Sequence, residues 1–324
     1  MAKLVAQAGT RALGKVISKF KQYGQDSYDC FKKLFESSVL PVILYSAGVW
    51  GFKEFSMLNT VQNRACRFFL GVPAQSPNVG TQGDMGWLSL SVACKVETTR
   101  LWSRIMNMND NRLTKQIFTW SASLAGTRHR NWNHMLGELL QSLDLGHFQR
   151  FMGINSRVLT GLVKARLGVI DQTLWTQNLW NDHNSPNGNK LRTYRTYKTE
   201  PCVEPYLLLN VPRFQRRTLA KLRIGVLPLE IETGRHSRPS TPLDQRLCKL
   251  CNMNEVETEL HFLLVCPLYE DQRVTLCDKA RDLNVNFNEL NHVEQMTYLV
   301  KEARLQGCLA KTVDVMFKRR TIDR

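Results

Sequence analysis

The sequence predicts a mainly α fold, in which a bundle of helices precedes a small helix-turn module. In the first 180 residues, apolar side chains recur near the 3.6-residue period of a helix. The period returns at residues 213–223, together with five basic residues. Three cysteines and a histidine follow within residues 248–266, a segment with few large apolar side chains. Hydrophobic residues make up 43% of the 324-residue chain, which is enough for two or three domains.

The helices are predicted in order along the chain. The first covers residues 2–22 and ends before Gly24. A second helix follows and is kinked or broken at Pro41, because proline removes an amide donor. Residues 71–86 are rich in glycine and proline and are predicted to form a loop. Further helices are expected near Leu58–Phe69 and over residues 89–108, 130–143, 156–180 and 213–223.

Composition divides the chain into five regions. Residues 181–191 are polar and rich in Asn, Pro and Gly, which is typical of a linker. We therefore expect a helical region at 1–125, a second helical region at 126–180, a linker with a Tyr/Arg segment at 181–205, a basic helix with the cysteine–histidine cluster at 206–275, and a helical tail at 276–324.

The net charge is +16, from 44 basic and 28 acidic residues. This excess favours a polyanionic partner, RNA or DNA first and an anionic membrane second. The longest apolar run, residues 39–52, contains Pro41 and Ser46 and is shorter than the about 20 residues of a membrane-spanning helix. We therefore expect contact with a phosphate backbone, with low sequence specificity, and no membrane partner.

Two segments carry candidate nucleic-acid contacts. Around Tyr194 and Tyr197, aromatic rings alternate with cations, which suits base stacking combined with phosphate contact; the alternative is an ordinary edge strand or packed helical turn. Residues 213–249 carry nine basic and three acidic residues, a net charge of +6, although a solvated face can show the same pattern. The candidate phosphate contacts are Arg213, Arg216, Arg217, Lys221, Arg223, Arg235, Arg238, Arg246 and Lys249.

The most specific chemical signal is the spacing C-x2-C-x9-H-x4-C, formed by Cys248, Cys251, His261 and Cys266. Zinc prefers four tetrahedral nitrogen and sulfur ligands, and two cysteines separated by two residues can hold it from one tight turn. The alternative is a set of buried cysteines beside a hydrogen-bonded histidine. Because four protein ligands leave no open position, we expect a structural Zn²⁺ and not a catalytic one.

Catalytic motifs are missing from the sequence. It has no adjacent pair of aspartates for two-metal nucleotidyl transfer, so we assign no catalytic residue. Glu230 and Glu232 are expected at a solvated surface. Nine cysteines without a signal peptide favour reduced thiols in the nucleus or cytoplasm, although the basic N-terminus also imitates a mitochondrial presequence.

Four segments of the chain then suggest a family. The segments "RRTLAKLRIGVLPLEIETGRHSRP" and "RLCKLCNMNEVETELHFLLVCPLYEDQR" resemble the C-terminal tail of the reverse transcriptase encoded by non-LTR (LINE-like) retrotransposons. Upstream, "LFESSVLPVILYSAGVWGF" and "LNTVQNRACRFFLGV" resemble the helical thumb and connector that follow the palm in that family.

This resemblance implies a zinc-containing, nucleic-acid-binding C-terminal fragment of an RNA-directed DNA polymerase. The palm, with its metal-binding aspartates, and the endonuclease would precede Met1, so the chain is not expected to be an enzyme by itself. It would contribute to the grip on template and primer. The rivals are a working polymerase and a zinc-stabilised helical module for protein interaction that does not bind nucleic acid.

Overall fold

The computed structural model describes residues 1–24, 26–124, 130–150, 155–182 and 189–323, and it is mainly helical, as the sequence predicts. The α-helices of the first part are α1 (Ala2–Gln22), α2 (Tyr28–Leu34), α3 (Leu40–Ile43), α4 (Ala47–Trp50), α5 (Ser56–Leu70), α6 (Asn78–Met85), α7 (Leu90–Met106), α8 (Leu113–Ser123), α9 (Trp132–Ser142) and α10 (Ser156–Asn181). Those of the second part are α11 (Tyr194–Tyr197), α12 (Pro205–Leu208), α13 (Arg213–Arg223), α14 (Glu230–Thr233), α15 (Glu270–Leu283), α16 (His292–Lys301) and α17 (Gln306–Asp323).

The helices predicted from periodicity are present, and α1 and α13 begin and end at or within one residue of the expected bounds. The interruption near Pro41 begins earlier than expected, because residues 35–39 form a π-helical turn. Pro41 itself lies in the first turn of α3, directly after this π-helical turn. No described helix is both long and apolar enough to cross a membrane.

The loop prediction for residues 71–86 is wrong in its second half, which forms α6. Two glycines of this helix are needed for close packing. A Cβ on Gly83 would lie 2.5 Å from the Tyr194 hydroxyl and 2.7 Å from the Trp175 ring, and one on Gly80 would lie 2.9 Å from Ile224. The glycines therefore allow close approach of neighbouring side chains and do not mark a turn.

The chain divides into two compact units, each assembled from three separate stretches. Unit 1 contains Met1–Lys19, Lys33–Gln62 and Leu88–Leu174, and unit 2 contains Phe20–Lys32, Asn63–Trp87 and Trp175–Arg324. The predicted linker at 181–205 includes residues 183–188, which lie outside the described residues. The rest of that region belongs to unit 2, and buried Lys190 and Leu191 lie within it.

The core of unit 1 is built from α7, α9 and the first half of α10. Val96 of α7, Leu140 of α9 and Val163 of α10 belong to one buried apolar cluster. Trp132 packs beside this cluster and donates its indole N–H to the carbonyl of Gly48 over 3.1 Å. The cluster explains why these three segments show helical periodicity in the sequence.

Unit 2 contains an aromatic cluster and a group of packed helices. The ring centroid of Phe31 lies 5.2 Å from those of both Phe20 and Phe69 and 6.3 Å from that of Trp87. Elsewhere in the unit, α13 packs against α17, and α17 packs against α15. One face of the basic helix α13 is therefore buried, a fact that decides the role of its arginines below.

Candidate metal centre

The cysteine–histidine segment begins with a short hairpin. Leu247 and Val256 form an antiparallel β-bridge. Beside it, the amide of Cys248 donates a hydrogen bond to the carbonyl of Glu255 over 2.8 Å. The hairpin therefore presents Cys248 and Cys251 from one tight turn, as the two-residue spacing predicts.

The second pair of candidate ligands lies on a helical turn. Residues 261–265 form one π-helical turn, and the amide of Cys266 donates to the carbonyl of His261 over 2.8 Å. The guanidinium of Arg273 donates hydrogen bonds to the carbonyl oxygens of Leu264 and Cys266. These bonds satisfy carbonyls at the end of the turn and hold Cys266 in place.

The four predicted ligands come together in the folded chain. One donor atom from each of Cys248, Cys251, His261 and Cys266 lies within 4.8 Å of all the others. Sγ of Cys251 lies 3.4 Å from Nε2 of His261. Cys248, His261 and Cys266 are buried, and Cys251 is half-buried. This group could hold a metal ion.

A carboxylate orients the histidine. Nδ1 of His261 lies 3.0 Å from Oε2 of Glu255, which leaves Nε2 to face the cysteine sulfur atoms. Metal-binding histidines are commonly held in this way, because the carboxylate fixes the ring and the position of its proton. Glu255 was not singled out from the sequence, although its place between Cys251 and His261 is a signal that could have identified it.

Each cysteine thiol of the group changes the pKa of its neighbours. The hydrogen bond from Cys266, helped by a smaller contribution from His261, outweighs the opposing effect of burial and lowers the pKa of Cys248 to about 3. Donating that same bond raises the pKa of Cys266. Three thiolates this close repel one another, so all three can be ionised together only around a cation. The donor set therefore fits a bound metal ion in both its geometry and its charge.

Helix α17 holds the hairpin from outside. Arg320 donates two hydrogen bonds of 2.7 Å to the carboxylate of Glu257, the residue after the β-bridge. The backbone N–H of Glu230 also donates a hydrogen bond to Oε2 of Glu257, over 2.6 Å. Glu230 also pairs with Lys249 at 3.1 Å.

The expectation that Glu230 and Glu232 lie at a solvated surface is wrong, because both are buried and ion-paired.

The structure removes both tyrosines from the stacking candidates. Tyr194 and Tyr197 are 0% and 4% exposed, so neither ring can receive a base. Their hydroxyl groups donate to buried acceptors, Oδ1 of Asp84 at 2.9 Å and the carbonyl of Arg223 at 2.7 Å. The alternative of a packed helical turn is the correct one, since these residues form α11.

Two of the candidate phosphate contacts are also corrected. Arg216 and Arg223 are each 1% exposed. The Arg216 guanidinium donates to the carbonyl of Asp26 over 2.6 Å and lies 4.4 Å from the centre of the Phe69 ring. Arg223 donates to both carboxylate oxygens of Asp84, at 3.0 and 3.1 Å. Both side chains therefore bind groups in the interior of unit 2 and are not accessible to a phosphate.

Asp84 is the centre of this buried ionic group. Tyr206 donates to its Oδ2 over 2.8 Å, and Arg223 also pairs with Glu204 at 2.8 Å. Burial is the largest effect and opposes the charged form of Asp84, but Arg223, Lys198 and the Tyr206 hydrogen bond together outweigh it and keep the pKa of the carboxyl below its ordinary value. The helical positions of Arg216 and Arg223, seven residues apart and alongside Leu219, are the sequence signal for their burial. No local signal identifies Asp84.

The remaining basic candidates keep at least part of their surface. Arg217, Arg238 and Lys249 are exposed, and Arg213, Lys221, Arg235 and Arg246 are half-buried. Lys249 is paired with Glu230, and Arg235 lies 2.9 Å from Glu232. These seven residues are the ones that stay candidates for phosphate contact.

Protein-family models, curated proteins and solved structures give no match to this chain.

Proposed function

We propose that this chain is a nucleic-acid-binding protein in which a structural zinc ion stabilises a basic module. The observation that carries the proposal is the group of three sulfur atoms and one imidazole nitrogen within 4.8 Å of one another. Tetrahedral zinc, with Zn–S bonds of about 2.3 Å, separates its sulfur ligands by about 3.8 Å, so small shifts would complete the site. Cys248, Cys251 and Cys266 would bind as thiolates, and His261 would bind through Nε2.

The chemistry of the donor set supports a structural role for the metal. Four protein ligands fill the tetrahedron and leave no position for water or substrate. Residues 247–266 form a short hairpin and one helical turn, so the ion would supply much of the free energy that folds this segment. Zinc with three thiolates carries a net charge of −1, and Lys249, next to Cys248 on the hairpin, would help to offset it.

The charge of the chain supports nucleic acid as the partner. The net charge is +16, and the seven accessible basic candidates of residues 213–249 provide cations for phosphate groups. Phosphate contacts of this kind give affinity without reading the base sequence. We propose RNA or DNA as the ligand and the nucleus or cytoplasm as the location.

The resemblance to non-LTR retrotransposon reverse transcriptases supplies a specific form of this proposal. In that form the chain grips template and primer next to a polymerase palm, and it has no polymerase activity by itself. A primed template with Mg²⁺ and nucleotides tests this: we expect no primer extension by the purified chain, and extension would contradict the proposal.

The metal is tested by elemental analysis of the purified chain. We expect about one zinc per chain. A variant with Cys248→Ser and Cys251→Ser should lose the metal, whereas the control Cys202→Ser, at an exposed cysteine outside the cluster, should keep it. Equal zinc in all three proteins would contradict the proposed site.

Nucleic-acid binding is tested separately, because the rival module for protein interaction also binds zinc. Fluorescence anisotropy with a labelled single strand and a labelled duplex, over a range of salt concentrations, distinguishes them. The proposal predicts affinity that falls steeply as salt rises. Retained zinc without salt-sensitive binding would favour the interaction module.

A further inference from the structure

A cavity of about 660 Å³ adjoins the hairpin of the metal module, within unit 2. This volume is within the range of small-molecule sites, about 300–1,000 Å³. Its lining combines cations with aliphatic side chains. The cations are Lys190, Arg192, Arg235 and Arg246, and the aliphatic residues are Ile231, Leu243 and Val256.

The cations outnumber the carboxylates that neutralise them. Glu232 accepts both Lys190 and Arg235, each at 2.9 Å, and Glu259 accepts Arg192. Two carboxylates therefore balance three cations. Asp244, at the lining, is exposed to solvent, where its charge is screened.

Arg246 adds a fourth positive charge. Its guanidinium donates to the carbonyl oxygens of Thr241 and Ile231, both at 2.9 Å. Within the described ranges, no carboxylate forms an ion pair with it. Burial lowers the pKa of Arg235 and Glu232 opposes this, while the charges of Arg192 and Arg246 lower the pKa further and that of Asp182 raises it. The three guanidinium groups line one cavity, and an anion bound there would reduce their mutual repulsion.

We propose that this cavity takes one nucleotide of a single-stranded nucleic acid. The phosphate lies against the guanidinium groups, whose N–H groups that are not bonded to protein oxygens can donate to phosphate oxygens. The base lies against Ile231, Leu243 and Val256, and the exposed imidazole of His236 at the lining offers a stacking surface. A single strand is required because a paired base is not free to leave its duplex. The inference rests on the proposed nucleic-acid binding and names the site where it is strongest.

Leu243 provides the test, because it lines the cavity and its side chain is 61% exposed, so its replacement leaves the core intact. Leu243→Glu places a negative charge beside the arginines. The matched control is Val285→Glu, which makes the same charge change at a residue that is 90% exposed and outside the cavity. Both variants are made in the full zinc-loaded chain, and their melting temperatures are compared with that of the parent.

The probes are adenosine, adenosine monophosphate and a labelled single-stranded 12-mer. We expect the monophosphate to bind about tenfold more tightly than adenosine, because only it presents a phosphate to the cations. Leu243→Glu should weaken both the monophosphate and the 12-mer about tenfold, and Val285→Glu should change neither by more than about twofold.

Three results would overturn the inference, each with a different meaning. If the 12-mer binds and Leu243→Glu leaves it unchanged, the cavity is not the site, while the proposed function stands. If the monophosphate binds at the cavity and the 12-mer does not, the site takes free nucleotides, and binding of a strand is refuted. If the parent protein binds neither the monophosphate nor the 12-mer, the inference fails, and the proposed function fails with it when a labelled duplex is not bound either.

Discussion

Arg320 and Glu257 face each other as a two-bond ion pair, with both hydrogen bonds at 2.7 Å, although 63 positions separate them in the chain. Their side chains are 4% and 1% exposed. Through this pair, helix α17 holds the segment that leads from the β-bridge to His261. The C-terminal region, to which the sequence assigns no role, is therefore part of the structure that carries the candidate metal centre.

Arg320→Ala should destabilise unit 2 by about 3–5 kcal/mol, because it leaves the carboxylate of Glu257 buried without its partner. Chemical denaturation followed by circular dichroism measures the change. Arg319→Ala is the matched control, since the neighbouring arginine is more than a third exposed and should cost less than about 1 kcal/mol. Equal losses in the two variants would refute the role of the pair.

Asp84→Asn should reduce stability near neutral pH and flatten its dependence on acid. The pKa of Asp84 is lower in the folded chain than in the unfolded chain, so its ionised form stabilises the fold at pH values above the unfolded pKa of about 4. This contribution is lost as the pH falls through the lower, folded pKa. Denaturation midpoints measured from pH 7 down to pH 3 should therefore fall less in Asp84→Asn than in the parent. An unchanged acid dependence would contradict the assignment.

Glu255→Ala should weaken zinc binding about 10–100-fold, because His261 loses the carboxylate that fixes its ring. Competition with a chromogenic zinc chelator measures the affinity. Glu289→Ala removes an exposed glutamate outside the cluster and should leave the affinity unchanged. An effect of the same size in both variants would argue against direct support of the histidine.

Arg216 and Arg217 are neighbours in sequence with opposite environments, so their variants should separate stability from binding. Arg217→Ala removes an exposed cation and should reduce the salt slope of nucleic-acid binding by about 1 without lowering the melting temperature. Arg216→Ala removes a buried cation and should lower the melting temperature while leaving the slope of the folded protein unchanged. Melting curves and salt titrations on the same samples check both statements, and the reverse pattern would refute them.

The salt dependence of nucleic-acid binding by the parent protein should be moderate. If about four of the seven accessible cations contact phosphate, the logarithm of the binding constant for duplex DNA should fall with the logarithm of salt concentration at a slope of about −4. Anisotropy titrations between low and physiological salt give this value. A slope shallower than about −2 would count against phosphate contact as the main source of affinity.

The sequence predicts the helices well where an apolar face packs on a core, as in α1, α7 and α13, because burial imposes a 3.6-residue period. The four cysteine and histidine positions were also predictable, since their close spacing limits how far apart the side chains can lie. Both predictions depend on residues that are near neighbours in the chain.

Long-range partners were not predictable in this way. Whether Arg223 faces solvent or the interior depends on Asp84, which lies 139 positions earlier. The rings of Tyr194 and Tyr197 are buried, and their hydroxyl groups donate to Asp84 and to the Arg223 carbonyl, which are also distant in the sequence. Composition alone cannot distinguish a basic, aromatic surface from a buried ionic group, because both use the same residue types.

The order in which the chain is synthesised gives the Arg320–Glu257 pair one more consequence. A ribosome delivers the hairpin and all four candidate ligands well before it delivers Arg320. Until that arginine emerges, Glu257 has no buried counter-ion, and the nascent hairpin can leave it in water. Metal capture during translation would therefore involve a loosely held loop, and the rigid form would arise only after α17 has docked.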